Sequence, residues 1–466
     1  MTYADLPEPQ GLRRYLGASV ILTATALGSG ELVLWPYITT QVGPGIIWLA
    51  VLGITIQYFL NMEVERYTLV TGETAVTGFS RLWLPWGVIF VLGAILPNLW
   101  PGWASSGATV FGFVFDLDSS AVPIVASIFL LSIGVAVTLS PVIYQTLEKV
   151  QGIMVALILV FVVAAIVLAT RADAWAAVVT EAPATAGDLP DIVTQIGAAT
   201  LFGAIVFAGA GGANNLVQSN YIRDKGMGMG QRIPNVVSPI TGEEVATPSL
   251  GYMVRPTAEN ERRWREWWRI ANSEQLLTFW FIGVVLLVSL SVLVFSTVGV
   301  DSELDSELGF LQVEGRALGE IVAPWFTTAF YVAAFLMLFS TNVGVVDYVS
   351  RLAGDSLKVT FLKDSTYWSE SKIYITVVWI LIVVGGGIIW TGIEPVVLLV
   401  ISSAGGGFVM AFYSVLVVLI NRRFLPGFAK LKGWRLPVMI FVAVFYVGFS
   451  LFLIYQMLVA GPGSLA

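Results

Sequence analysis

Apolar runs of about twenty residues recur along the whole chain, separated by short polar or Gly- and Pro-containing segments. A helix that crosses a bilayer needs roughly 20 mainly apolar residues. Windows of that kind fall near 16–40, 44–65, 84–114, 121–139, 150–170, 195–220, 272–297, 322–350, 372–391, 395–420 and 436–459. The pattern predicts eleven spans, with Pro97 and Pro101 interrupting the third. The N-terminal stretch MTYADLPEPQGLRRYLG is short and polar. The apolar run behind it is too long for a signal-peptide core and lacks a small-residue cleavage site, so it reads as a retained first span.

The polar segments carry the orientation. With the N-terminus on the cytoplasmic side, inside segments hold 22 of the 24 Lys and Arg residues, and only Arg171 and Arg316 fall outside. The outer segments carry acids instead, as in DSELDSELGFLQVEG (301–315). This satisfies the positive-inside rule, and a wrong span count would scramble the alternation. The expected placement is a multi-pass protein of the cytoplasmic (inner) membrane, N-terminus inside and C-terminus outside. Helical rather than barrel-like spans argue against an outer membrane.

One inside loop, 222–271, ends in ERRWREWWRI, where Trp264, Trp267 and Trp268 recur at helical spacing beside Arg262, Arg265 and Arg269. That spacing predicts an interfacial helix, its tryptophans at headgroup level and its arginines toward anionic lipid.

Composition narrows the chemistry. Hydrophobic residues make up 57% of the 466 and charged residues only 12%, where a soluble chain carries about a quarter charged. There is no cysteine and no histidine, which removes disulfides, the usual zinc sites, thiol and imidazole nucleophiles and imidazole proton relays. No enzyme constellation appears. GMGMG (226–230) lacks the strand-before, helix-after setting of a phosphate loop.

Two spans have polar interruptions near their middles. Span 1 has Gly28-Ser29-Gly30-Glu31, and span 6 has Gly209-Ala210-Gly211-Gly212-Ala213-Asn214-Asn215. Five spans separate the two starts, so the second helix runs in the opposite sense. Matching interruptions in inverted halves point to the binding site of a secondary transporter. Irregular backbone at membrane depth is tolerated only where protein buries it or a cavity is lined by it. Glycines permit the unwinding, freed carbonyls can coordinate a cation, and the amides that start the second half-helix face the cavity with positive dipole. Glu31 is expected at the start of that second half in span 1, as a cation ligand or proton acceptor. Its alternative is a structural glutamate that holds the break open. Asn214 and Asn215 occupy the equivalent start in span 6, where asparagine is a favoured helix cap.

At this point the chain resembles the Nramp family, within the amino acid–polyamine–cation superfamily. The likeness lies in IQYFLNMEVERYTLVTGE (56–73), GAGGANNLVQSNYIRDKG (209–226), LMLFSTNVGVVDYVSRLAGDSL (336–357) and NRRFLP (421–426), taken in order and spacing. The resemblance implies an all-α polytopic LeuT-type fold in one domain over 1–466. Its five-plus-five inverted repeat would cover about 16–170 and 195–420, with helices 1 and 6 broken and helix 11 at 436–459. The departures are specific. Nramp metal transporters have Asp-Pro-Gly-Asn where this chain has Gly28-Ser29-Gly30-Glu31, and Met-Pro-His where it has Gly212-Ala213-Asn214. Without a thioether, selection for softer metals is lost. What remains is oxygen ligands: Thr25, Ser29, Glu31, Asn214, Asn215, Gln218 and carbonyls around Gly28, Gly30, Gly211 and Gly212. Such a set suits a hard cation such as magnesium with part of its water retained. Glu31, Asn214 and Asn215 are the expected metal ligands.

Other ionisable groups suggest gating or coupling. Asp347 and Arg351 lie four apart in span 8 and share a helix face, as a gate ion pair or an interfacial salt bridge. Asn342 lies above them. Glu65, with Glu63 and Arg66, sits at the inner end of span 2 as a candidate proton-path residue. Span 3 has no acid, where Nramp transporters commonly have one.

The sequence therefore predicts a non-enzymatic secondary transporter of a hard divalent cation (Mg- or Mn-like), with proton coupling an open option. It would need no resident cofactor, its partners being lipid and the transported ion, without nucleic acid, and a monomer is expected. The alternative is a cation-coupled symporter of a small organic solute such as an amino acid. GSGELVLWP is similar to the Gly-Ser-Gly-Ile-Phe pattern with which amino-acid transporters hold a carboxylate. A fixed carboxylate at Glu31 would repel such a group by roughly 4 kcal/mol at 4 Å for a dielectric of about 20.

Overall fold

A computed structural model describes residues 2–140, 143–233, 250–300 and 308–460. Residues 301–307 of the acidic segment 301–315 and part of the 222–271 loop lie outside the described residues. So does the C-terminal end.

Among the described residues, ten helices are long and apolar enough to cross a membrane: Ser19–Val42, Pro44–Thr71, Trp86–Phe115, Ser119–Leu139, Gln145–Ala169, Ala258–Thr297, Pro324–Thr360, Glu370–Ile389, Pro395–Arg423 and Arg435–Gln456. These are spans 1–5 and 7–11. Span 3 holds together across its prolines as Trp86–Asn98 followed by Gly102–Phe115. Span 6 completes the set in pieces. A short helix, Leu189–Ile196, bends by 100° into Ala198–Phe207. That helix stops, and after 208–213 the chain resumes as Asn214–Asp224. Both halves of span 6 are buried, apart from a partly exposed Thr200, because spans 1, 2, 8 and 10 pack around them.

The two interruptions take different forms. In span 6 the break is open: Gly209, Gly211 and Gly212 have φ of 105°, 69° and 55°, values that a residue with a Cβ rarely adopts. Span 1 instead widens into a π-helix over Leu27–Leu34, between α-helical Ala18–Ala26 and Trp35–Val42. At its end the Trp35 N–H reaches back five residues to the Gly30 carbonyl. Glu31 therefore lies within a wide turn rather than at the first amides of a separate half-helix. Gly30 explains the local geometry, since a Cβ there would overlap the Phe207 carbonyl oxygen. Only glycine lets the two interrupted backbones touch.

The tryptophan-rich helix is not the separate interfacial helix expected. Ala258–Gln275 continues directly into span 7, and Trp264 and Trp267 are buried. Trp267 donates its indole N–H to the Pro7 carbonyl at 2.7 Å and packs on Tyr15. Trp264 stacks on Trp268, over which the Arg66 guanidinium sits at 4.1 Å. The arginines face the other way, with Arg262, Arg263 and Arg265 paired to Glu259 and Glu261. Trp267 thus packs on the N-terminal segment, and Trp264 and Trp268 on Arg66 of span 2. The N-terminus is drawn into the same corner, where Thr2–Ala4 pairs in parallel with Tyr252–Val254.

Candidate functional site

The site is where the π-turn of span 1 meets the open break of span 6. Glu31 is fully buried. Its Oε1 accepts the Gly209 N–H at 3.2 Å, while Oε2 has no partner among the described residues. A carboxylate at this depth is stable only if donors or a cation satisfy it. One backbone amide is half an answer.

Gln57 of span 2 holds the span 6 break open. Its Nε2 donates to the carbonyls of Ile205, Val206 and Ala208 at 3.3, 2.8 and 2.8 Å. Its Oε1 accepts from the Gly211 N–H at 2.9 Å and from Asn215 Nδ2 at 3.1 Å. A single amide thus replaces the helical hydrogen bonds that the break forfeits. Tyr413 donates to the Gly212 carbonyl at 3.1 Å, and the Trp35 indole donates to the Ala204 carbonyl at 2.9 Å. Gly28, freed from its helix by the π-turn, gives its N–H to Thr341 of span 8 at 2.8 Å. Sequence reading missed Gln57, although a lone amide inside an apolar run carries the same signal that singled out Glu31. Thr341 and Tyr413 had no such signal, since hydroxyls are common in spans.

The asparagines are at the break, but not as caps. Ala213 is the capping residue of Asn214–Asp224 and provides no side-chain bond. Asn214 instead reaches back to the Ala210 carbonyl at 3.5 Å and leaves its buried Oδ1 unpartnered. The structure thus brings Glu31, Gly30, Gly211, Gly212, Asn214 and Asn215 together around 208–213. Thr25 is turned away: its hydroxyl bonds the Ile21 carbonyl at 2.8 Å and packs against Gly344. The Ser29 side chain lies outside the described residues. Gln218, one helical turn below Asn214, gives its Nε2 to Ser19 and Glu65 at 2.8 and 2.9 Å and so belongs to a different cluster. Among the described residues no three acidic, histidine or cysteine side chains gather as a metal cluster. A cation here would be held by one carboxylate together with amide and backbone oxygens.

Below the break, a buried charge network fastens the second half of span 6 to spans 8 and 9. Asp347 accepts from Arg351 at 3.0 and 3.2 Å, from Tyr221 at 3.0 Å and from Tyr374 at 2.7 Å. Arg351 also binds Asp224, and Arg223 binds Asp224, Asp355 and Glu370. Arg223 and Arg351 are each 1% exposed, so this is not an interfacial salt bridge. Asn342, one turn above, is buried with its Nδ2 unpartnered. Glu63 and Glu65 separate: Glu63 binds Arg66 and Arg435, whereas Glu65 faces Gln218.

No protein-family profile matches the chain, and no curated protein does. Solved structures do match. A manganese transporter from Eremococcus coleocola superposes with a TM-score of 0.68 at 14% identity, covering 96% of this chain and 88% of its own. A nucleobase-cation-symport-1 family transporter matches at TM-score 0.54 and 16% identity, over 98% and 93% of the two chains. MhsT, solved with L-phenylalanine, matches at TM-score 0.51 and 12% identity, over 94% and 98%. Identities this low speak to the fold, and on the fold they agree with the broken and widened helices: this chain is an all-α polytopic membrane protein of LeuT-type architecture, a fold it shares with the Eremococcus coleocola manganese transporter.

Proposed function

We propose that the chain is a secondary transporter that moves a hard divalent cation, of magnesium or manganese type, across the cytoplasmic membrane by alternating access. It works as a monomer, with its N-terminus inside and C-terminus outside. The observation that carries this reading is the buried Glu31 carboxylate at the junction of two interrupted helices, with one oxygen left unpartnered. Asn214 Oδ1 offers a second buried, unpartnered oxygen on the other side of the same break. Oxygen donors without thiolate, thioether or imidazole favour hard ions. The structural likeness to a manganese transporter supports a metal cargo. The weaker likenesses to a nucleobase-cation symporter and to an amino-acid-bound transporter keep a cation-coupled organic solute as the second reading.

Purified protein in proteoliposomes decides between them. Uptake of magnesium or manganese that is lost in Glu31→Gln supports the proposal. Uptake of an amino acid or nucleobase with no divalent ion moving would overturn it.

A further inference from the structure

A second buried acidic cluster lies on the cytoplasmic side of the site, and the charge network does not include it. Glu65 of span 2 and Glu274, at the entry to span 7, are both fully buried. Neither forms an ion pair among the described residues; the nearby guanidiniums of Arg66 and Arg435 go to Glu63. The two carboxylates are joined through Ser19 of span 1 and Gln218 of span 6. Gln218 Nε2 donates to Glu65 Oε1 at 2.9 Å and to Ser19 Oγ at 2.8 Å. The Ser19 hydroxyl in turn contacts both Glu274 Oε2 and Gln275 Oε1.

Their surroundings are unequal. Glu274 takes the backbone N–H groups of Gly17 and Ser19 at 3.3 and 3.0 Å and the Thr278 hydroxyl at 3.2 Å. It thereby caps the cytoplasmic start of span 1, where Gly17 has no side chain to do so. An anion is favoured at such a helix start. Glu65 has one amide donor, and its Oε2 is buried with no partner. That atom belongs to the same carboxyl group as Oε1, so it stands at the cluster itself. Gln218 Oε1 is likewise unpartnered beside it. The charged groups that face Glu65 are Glu274 and, from span 11, Arg435, with the Tyr58 phenol on its own helix. Glu274's side of the cluster is flanked by the Glu148–Lys225 pair next to Gly17.

Two like charges bridged this closely and shut away from water do not both ionise. We propose that Glu65 and Glu274 form a proton-binding site that holds one proton, mainly on Glu65, while the cytoplasmic side is closed. A charged Glu65 needs hydration, and water reaches it only if the cytoplasmic halves of spans 1 and 6 carry Ser19 and Gln218 away from it. The closed state therefore binds the proton more tightly than the open state, and rising pH shifts the population toward opening. This deepens the transporter reading by naming the coupling ion, but its test needs no cargo.

The chain has no cysteine, so Ala24→Cys, at a fully buried position in the cytoplasmic half of span 1, gives a single reporter thiol. Its labelling by a membrane-impermeant maleimide from the cytoplasmic face would be followed from pH 5 to 9, without metal, every rate being taken relative to that of the same thiol in denatured protein at the same pH, which removes the pH dependence of the thiolate itself. The expected rate rises with pH by at most about tenfold per unit, the limit for one proton. Glu65→Gln should label slowly at every pH. Glu65→Asp should restore the pH dependence with a displaced midpoint. A wild-type rate independent of pH overturns the proposal, as does a wild-type profile retained in Glu65→Gln. A rate set by sodium against choline rather than by pH overturns it too, by assigning the cluster to a metal cation. Loss of metal uptake with this profile intact would sink the cargo assignment alone.

Discussion

Replacing Glu31 with glutamine changes the charge of the site and little else. The side-chain carbonyl of the introduced glutamine can still accept the Gly209 N–H, bonded to Glu31 at 3.2 Å, so the junction of spans 1 and 6 should survive. One charge-assisted hydrogen bond becomes a neutral one, a loss of about 1 kcal/mol. Removal of a buried carboxylate oxygen without a partner offsets it. Thermal unfolding in detergent should therefore move by no more than a few degrees. Cation binding should respond far more strongly. At about 4 Å and an effective dielectric of about 20, each unit of cation charge gains roughly 4 kcal/mol from the carboxylate. A divalent ion gains twice that, and desolvation of ion and carboxylate cancels several kcal/mol. The remaining gain of about 4 kcal/mol corresponds to a loss of roughly a thousandfold in affinity. Calorimetric titration of magnesium and manganese into purified protein reads the affinity directly, and proteoliposome uptake reads its consequence. A folded Glu31→Gln protein that binds either ion within about threefold of wild type would refute the reasoning.

Four further outcomes follow from the packing. Gln57→Leu keeps the volume but strands the Val206 and Ala208 carbonyls and the Gly211 N–H; at about 1–3 kcal/mol for each buried unpaired group, unfolding should come at clearly lower denaturant, and an unchanged midpoint would count against this role. Gly30→Ala drives a Cβ into the Phe207 carbonyl oxygen, so spans 1 and 6 must separate; size-exclusion profile and uptake should both be lost, and normal behaviour would disprove the contact. Arg351→Met leaves the buried Asp347 without its cation and Asp224 with Arg223 alone and should destabilise by about 3–5 kcal/mol, measured by thermal unfolding. Glu314, in the helix Gly309–Ile321, is buried, which pushes its carboxyl well above the ordinary value of 4.5. The folded state then keeps a proton that the unfolded chain releases above that pH, so Glu314 lowers stability as pH rises. Glu314→Gln should match wild type near pH 4 and exceed it at pH 7, and equal melting temperatures at pH 7 would exclude this.

What the sequence by itself determined was whatever depends on local pattern. Twenty-residue apolar runs specify spans because lipid leaves the backbone no partner outside its own helix. Glycine clusters beside Glu31 and Asn214 marked both interruptions for the same reason. Only the tertiary structure decided their form. Whether span 1 opens or widens into a π-turn depends on what receives its freed amides, and Thr341, far away in the chain on span 8, takes the Gly28 N–H. Gln57 stood out in the sequence as an amide inside an apolar run, but its task was set only when span 2 was laid beside the break, and Gln218 left the expected ligand set because Glu65 and Ser19 claim its amide first. Trp264 and Trp267 carry the pattern of a headgroup anchor, but a tryptophan buries its ring wherever apolar area is offered, and the folded spans offered it. Helical spacing says which side chains share a face. Which neighbour meets that face is settled by packing between segments far apart in the chain.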